Sequence, residues 1–369
     1  MLKSFIKGLD LSESFFNECA LTLLQMHYPD LQYSAGLIGW GSDVLGYDDA
    51  ISIDHQWGPR FYLFLREEDK AKIQELHDMF SENLPYEYKG YSINFSAVNE
   101  AGGGVRHMEP ISEGKVSPLI DIVTVDEYLN DWYLGTSDLE NLTNLDWLTF
   151  SEHRLLGVTS GRIFKDDLGL KDRLEVLRFY PENVRLYLIA SNWSIIAEEQ
   201  AFVRRCADVG DSIGSALVCG RIADRLMRLA FLYCKKYAPY SKWFGKAFSE
   251  LPVSDELKEA LLKAVTASDI ETRENEIVRA QLLTVDLHNK SGITELFSAE
   301  VTDYFERDIK VLFVDKIASA VKEKLNGTGM ENYPLIGSFC GVANLNTLWD
   351  SPQEMRKMKN IYERSEHNE

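Results

Sequence analysis

Apolar side chains at Phe15, Phe16, Ala20, Leu23 and Leu24 recur at helical spacing, with Ser12 or Asp10 available as a cap and Pro29 beyond the end. The spacing predicts an opening helix over about 12–26. Ser34 to Gly39 is short, small and apolar, and runs into the glycine-rich turn Gly39-Trp40-Gly41-Ser42. Ala50 to His55 then leads to the continuous apolar run Phe61 to Leu65, the pattern of a strand buried on both faces. Glu67 to Leu84 reads as an amphipathic helix through Ile73, Leu76, Met79 and Phe80. Further strands are expected over 91–98, 119–125 and 157–164, the last closed by a turn over 165–169. The polar, glycine-rich stretch 99–117 reads as a surface loop, and its Gly102-Gly103-Gly104 lacks the Lys-Ser/Thr of a phosphate loop.

After Arg178 the texture changes to a 3.6-residue period, with Val218, Ile222, Leu226, Leu229 and Tyr233 on one face. Helices are expected within 181–248 and over 255–267, 270–287 and 300–325, with a frayed, charged tail after Lys357. The fold class is therefore α+β: a mixed-sheet domain flanked by helices over 1–178, followed by an all-α helical domain over 179–369.

Composition adds limits. The chain has 369 residues, 45% hydrophobic and 26% charged, enough to bury two cores. Its formal net charge of −19 disfavours broad nonspecific binding to DNA or RNA and to anionic membranes. No stretch approaches the ~18 apolar residues of a membrane span, and the N-terminus lacks a signal peptide's apolar core, so a cytoplasmic location is expected. The five cysteines are scattered, without metal or redox spacing, and read as reduced thiols.

Candidate chemistry sits near the N-terminus. Transfer of a nucleotide from an NTP requires backbone N–H groups for phosphates, carboxylates for Mg²⁺, and a rigid strand to aim them. A Gly41-Ser42 turn opening a helix supplies the first. Carboxylates two apart on a strand supply the second, because such residues share a face. Asp54-His55-Gln56 offers one carboxylate and, two positions on, a carboxamide, while Asp121 lies between Ile120 and Ile122. Asp54 also suits a cap, Asp121 an edge position, and His55 a fixed hydrogen bond.

The run Gly41 to Asp48, followed by Ser52 to Arg60 with its Trp57-Gly58-Pro59-Arg60, resembles a bacterial family of nucleotidyltransferase-like proteins within the DNA polymerase β superfamily. Val158 to Asp166, Phe179 to Glu182 and Tyr237 to Phe244 extend the resemblance. It implies a nucleotidyltransferase-like first domain in which Gly41 and Ser42 contact the β and γ phosphates. Asp54 would be the first ligand of Mg²⁺ or Mn²⁺, Gln56 would stand at the second position, and Asp121 would be the third. The implied reaction moves an NMP from an NTP, ATP being the first candidate, to a hydroxyl on a small molecule, a protein or an RNA end. The alternative is a nucleotide-binding or interaction protein with weakened catalysis, because Gln56 brings no charge to the metal.

Cations complete the picture. Arg60 suits a phosphate, or a lock on Asp48 or Asp49. Arg221, Arg225 and Arg228 fall on one helix face; Arg225 is the phosphate candidate, and salt bridges to Asp208, Asp211 or Asp224 are the plainer use. Lys242, among Tyr240, Trp243 and Phe244, is a further phosphate candidate or part of a packed aromatic cluster.

Overall fold

The structure is a computed structural model that describes residues 5–53, 56–98, 104–343 and 345–362. It divides into two compact units, 1–141 with 153–178, and 142–152 with 179–369.

In the first unit the chain opens with helix α1 (Gly8–Phe15), passes through a π-helical turn (Phe16–Ala20) and continues as α2 (Leu21–His27). Strand β1 (Ser34–Leu37) and strand β2 (Arg60–Leu65) are buried along their whole length, as the apolar runs demand. A 3₁₀ turn (Glu67–Lys72) leads into α3 (Ile73–Asn83), which buries Leu76, Met79 and Phe80. The two-residue strands β3 (Glu87–Tyr88) and β4 (Tyr91–Ser92) pair antiparallel. Strand β5 (Leu119–Thr124), the single turn α4 (Val125–Glu127) and a π-helical segment (Tyr128–Tyr133) follow. Helix α5 (Asn144–Thr149) belongs to the second unit, and α6 (Glu152–Ser160) brings the chain back to β6 (Arg162–Asp166) and α7 (Leu170–Leu174).

The four-stranded sheet has the order β5-β2-β1-β6. Strand β1 runs antiparallel to both β2 and β6, while β2 and β5 are parallel with Tyr62 opposite Asp121. Successive strand residues point to opposite faces, so the sheet has two different sides. Phe61, Leu63, Leu65, Ile120 and Ile122 share one core with Phe15, Phe16 and Phe80. The other side carries Arg60, Tyr62 and Phe64, with Tyr128 packed 5.1 Å from Tyr62 and 5.2 Å from Phe64, measured between ring centroids.

Three expectations fail here. The strand over 91–98 shrinks to Tyr91–Ser92, because the next backbone groups bond to the following loop: the Phe95 N–H donates to Ser117 O at 2.9 Å, the Ser96 N–H to His107 O at 2.8 Å, and Asn94 O accepts the Glu109 N–H at 2.9 Å. The strand over 157–164 begins only at Arg162, since Leu155 and Val158 bury at helical spacing and extend α6 to Ser160. The turn at Gly41-Ser42 opens no helix. Residues 41–47 close a tight turn through Tyr47 N–H to Ser42 O at 2.7 Å and Gly46 N–H to Asp43 O at 3.1 Å. Gly41 (φ +120°) and Gly46 (φ +76°) hold backbone angles that no α-helix contains.

The second unit is built from α8 (Glu182–Glu199), α9 (Phe202–Asp208), α10 (Ser212–Tyr233), α11 (Ser241–Ser249), α12 (Asp255–Thr266) and α13 (Ile270–Ser291). The helix expected over 300–325 is instead a hairpin, β7 (Thr302–Tyr304) and β8 (Arg307–Val311), followed by α14 (Asp315–Glu323). Ile309 and Val311 are buried two residues apart, the period of a strand. Short helices α15 (Phe339–Val342), α16 (Asn346–Trp349) and α17 (Pro352–Lys357) close the unit. The tail is not frayed through Tyr362, whose hydroxyl donates to Gly337 O at 2.9 Å. Arg356 and Lys359 both pair with the Asp146 carboxylate, at 2.6 and 2.7 Å. Among the described residues no helix is long and apolar enough to cross a membrane, and no cysteine is in a disulfide.

A buried polar chain crosses this unit. Trp193 Nε1–H donates to Tyr233 Oη at 2.8 Å, that oxygen lies 3.1 Å from His288 Nδ1, and His288 Nε2 lies 2.8 Å from Thr294 Oγ1. Burial lowers the His288 pKa to about 4. An unfolded histidine titrates near 6.5, so between those values the unfolded chain holds the extra proton. The stability His288 contributes is therefore full above about pH 6.5 and is lost as pH falls toward 4, by up to about 3 kcal/mol. Urea denaturation at pH 7.5 and pH 4.5 should show that loss in the wild-type chain and a clearly smaller one in His288→Gln.

Candidate functional site

The residues singled out near the N-terminus gather at one end of the sheet in the first unit. Strand β1 ends at Leu37, and the chain turns through Trp40, Gly41 and Ser42 into Asp43, which is buried. Strand β2 begins at Arg60, also buried, and its guanidinium grips Asp43: Nη2 lies 2.8 Å from Oδ1 and 3.0 Å from Oδ2, and Nε lies 3.2 Å from Oδ2. Nη2 also donates to the Trp40 carbonyl at 2.7 Å. Burial works against the Arg60 charge, but the Asp43 carboxylate outweighs it and raises the pKa. Arg60 thus clamps the turn to the first residue of the strand. The partner is Asp43, not Asp48 or Asp49, because a planar fork needs a carboxylate held in its own plane at short range.

Gly41 is what leaves room for that clamp. A Cβ there would stand 2.0 Å from Asp43 Oδ1 and 2.6 Å from Arg60 Nη2, and φ +120° is a backbone state that side chains resist. Asp48 has another task. Its Oδ2 accepts the Gly8 N–H at 2.7 Å and the Trp57 indole N–H at 3.1 Å, and Lys7 Nζ lies 3.3 Å from Oδ1. A buried carboxylate thereby caps the first turn of α1, where unpaired N–H groups favour a negative charge. Asp49 accepts from the Ile51 and Ser52 N–H groups and so shapes its own loop.

Asp121 stands apart from these committed carboxylates. It is the one half-buried position on β5, whose other residues are buried. Among the described residues no hydrogen bond or ion pair holds its carboxylate; Arg60, Arg106 and His77 act on it only at longer range. Desolvation raises its pKa, against the pull of those three groups. Burial in turn lowers the His77 pKa, with Asp121 opposing. Arg106 is tied to the loop by Nε to Ser96 O at 2.8 Å and Nη2 to Ser117 Oγ at 2.8 Å.

Gln56 sits before β2 with φ +47°, its backbone N–H on Arg106 O at 3.3 Å and its Nε2 donating to Gly104 O at 3.3 Å. With the amide nitrogen so engaged, Oε1 is the atom it can offer to a ligand. Asp54 and His55 lie outside the described residues. Among the described ones no group of three His, Cys, Asp or Glu side chains is close enough to hold a metal ion.

Sequence reasoning missed the aromatic neighbourhood. Trp40 lies with its ring 4.4 Å from the Arg154 guanidinium carbon, and Arg154 donates to the Trp132 and Tyr133 carbonyls at 2.7 and 2.8 Å. Tyr128 and Tyr133 stack at 5.2 Å between ring centroids. These residues come from separate segments, so no local spacing could have marked them.

The remaining candidates belong to the helical unit. The stripe on α10 divides: Arg221 pairs with Glu199 at 2.6 Å, and Arg228 with Asp224 at 2.9 Å and Glu152 at 3.3 Å. Asp208 pairs instead with Arg204, and Asp211 caps α10 through the Gly214 N–H. Arg225 makes no ion pair among the described residues; its Nη2 donates to Gly341 O at 2.8 Å. Lys242 is exposed on α11, its Nζ 4.9 Å from the centre of the Trp243 ring.

Residues 147–244 match a family described as Domain of unknown function (DUF4037). That segment includes Arg225 and Lys242 but begins beyond Gly41, Gln56, Arg60 and Asp121, so it says nothing of the sheet-end cluster. No curated protein matches the chain. Among solved structures it is similar to a nucleotidyltransferase-like protein from Exiguobacterium sibiricum 255-15, at 12% identity over 87% of this chain and 91% of that chain, with a TM-score of 0.34. A likeness that weak assigns no fold; what is established is a sheet-end cluster in the first unit, and a match to one family of unknown function across the segment that joins the two units.

Proposed function

We propose that the chain is a nucleotidyltransferase-like protein whose first unit binds an NTP with Mg²⁺ or Mn²⁺ at the end of the sheet and transfers the NMP to a hydroxyl acceptor. The observation that carries this reading is Asp121: a desolvated carboxylate on a rigid strand, without a partner among the described residues, on which the Arg60 and Arg106 guanidiniums act at longer range. A carboxylate in that state has a raised pKa, and a divalent cation is what would hold it ionised. Asp54 and Gln56 would complete the metal ligands. The open turn at Gly41 and Ser42 would face the phosphates with backbone N–H groups, a role it can fill without a helix behind it. Arg60 would act through the turn, since Asp43 already takes two of its nitrogens. Arg225 and Lys242 remain phosphate candidates within the helical unit, ATP the first nucleotide to try, and a small molecule, protein or RNA end the acceptor.

A second reading, nucleotide binding without turnover, has its own support in Gln56. Its neutral oxygen brings no charge to a metal, and its amide nitrogen is anchored on Gly104. Pyrophosphate release with each NTP and Mg²⁺ separates the two. Transfer by the natural chain, falling by at least about a hundredfold in Asp54→Ala, supports the enzyme. Release seen only in Gln56→Asp supports the binding protein, because the carboxylate then restores what the natural chain lacks.

A further inference from the structure

Helix α10, in the second unit, is covered over only part of its length. Near its C-terminal end Phe231 is buried against Phe244 of α11, with ring centroids 5.6 Å apart. Five helical turns earlier, and so on the same face, Ile213 is 76% exposed. Leu217, one turn on, is 61% exposed, and the exposed Ala216 and Gly220 complete the bare face. The stripe that α11 shields in the last turns of the helix therefore meets solvent in the first ones. The neighbouring α9 widens it. Cys206 lies near enough to Arg221 to act on its charge, and Phe202 and Val209, about one turn either side of Cys206, are 40% and 82% exposed.

Gly220 has no use within the chain. A Cβ there would meet no described atom within 4 Å outside its own helix backbone, so nothing in the second unit needs the space. A glycine inside a 22-residue helix costs stability, and the fold gives nothing back for it. Close approach by another backbone or a bulky side chain is what such a gap permits.

We propose that this face of α10 is the contact between two copies of the chain, laid antiparallel about a two-fold axis between Ala216 and Leu217. The face is complementary to itself in that arrangement. Ile213 enters the gap over the partner's Gly220, Leu217 rests on the partner's Ala216, and the two-fold repeats both contacts. Charge agrees with shape: Asp208 and Asp211 precede the stripe, while Arg221 follows it and stays 54% exposed despite its pair with Glu199. Antiparallel copies bring each Arg221 to the acidic end of the other helix. Parallel copies would set Ile213 on Ile213 and like charges side by side. The area is also of the right size. Phe202, Val209, Ile213 and Leu217 together expose on the order of 400 Å², close to the apolar share of a standard interface of about 800 Å² per partner.

Sedimentation velocity of the full chain, from about 1 to about 100 μM, tests this, with folding of each variant followed by circular dichroism. The natural chain is expected to pair with a dissociation constant of about 10 μM or below, within the range such interfaces span. Leu217→Glu sets two carboxylates beside the axis and should weaken pairing by at least about a hundredfold. Gly220→Leu fills the gap that receives Ile213 and should weaken it as much, while the helical signal of the single chain holds or rises. Arg221→Glu should weaken pairing by about tenfold, since the two-fold counts each contact twice, and Arg221→Glu/Asp208→Lys should restore it. Rescue by that charge swap is specific to the antiparallel register. A chain that stays single at about 100 μM, pairing that survives both Leu217→Glu and Gly220→Leu, or a charge swap that restores nothing would overturn the proposal.

Discussion

Replacing Asp43 with alanine is expected to destabilise the first unit by about 3–5 kcal/mol, a large share of what holds a domain folded. Both partners of the pair are almost wholly buried, at 2% and 6% side-chain exposure, and three contacts of 2.8 to 3.2 Å join them. Removing the carboxylate strands a guanidinium that keeps only the Trp40 carbonyl. For a unit of this size the melting temperature should fall by about 10 °C, read by circular dichroism. The double variant Asp43→Ala/Arg60→Leu should recover most of the loss, because an apolar side chain in place of a buried cation needs no counter-charge. Equal losses in single and double variants would mean that the pair does not hold the turn to β2. Gly41→Ala should behave like Asp43→Ala, since its Cβ would displace the same carboxylate.

Asp121→Asn is expected to move stability and binding in opposite directions. Its carboxylate is desolvated and has no partner among the described residues, so an isosteric neutral group removes a cost. A raised folded pKa means that the folded chain binds the proton more tightly, and the stabilising effect of that proton is lost as pH rises through the folded value. At pH 7.5 the variant should therefore be more stable than the natural chain, by about 1 kcal/mol, the usual scale for relieving a strained functional site. Metal-dependent nucleotide affinity should fall by at least about a hundredfold. A residue kept for structure would show the reverse: lower stability and unchanged binding.

These two carboxylates also show how far the sequence could be read. Asp121 was legible because it interrupts an apolar strand, a pattern that local spacing exposes, and β1, β2 and β5 were legible from their continuous apolar runs. Asp43 was not legible as the partner of Arg60, since the two are 17 positions apart and the loop between them has no period. The same reason hid Asp48 as the cap of α1, 40 positions away from Gly8. The mistaken strand over 157–164 and the mistaken helix over 300–325 arose where apolar residues fit both periods over a short window, and burial against the rest of the unit decided between them. In the helical unit the face of α10 was correctly read as one stripe, but only the packed structure separates Arg225 from its paired neighbours.

The central claim is a metal-dependent nucleotide site at the sheet end, and nucleotide-dependent thermal stability tests it most directly. The purified chain is melted with ATP, GTP, CTP and UTP, each with and without Mg²⁺ or Mn²⁺, alongside Asp54→Ala and Asp121→Asn. A ligand that binds only the folded state stabilises it by RT ln(1 + [L]/Kd), about 2.7 kcal/mol at a hundredfold excess over Kd. The expected result is a shift with at least one NTP that requires the metal and disappears in both variants. A shift that ignores the metal, one that survives both substitutions, or none with any nucleotide would contradict the claim.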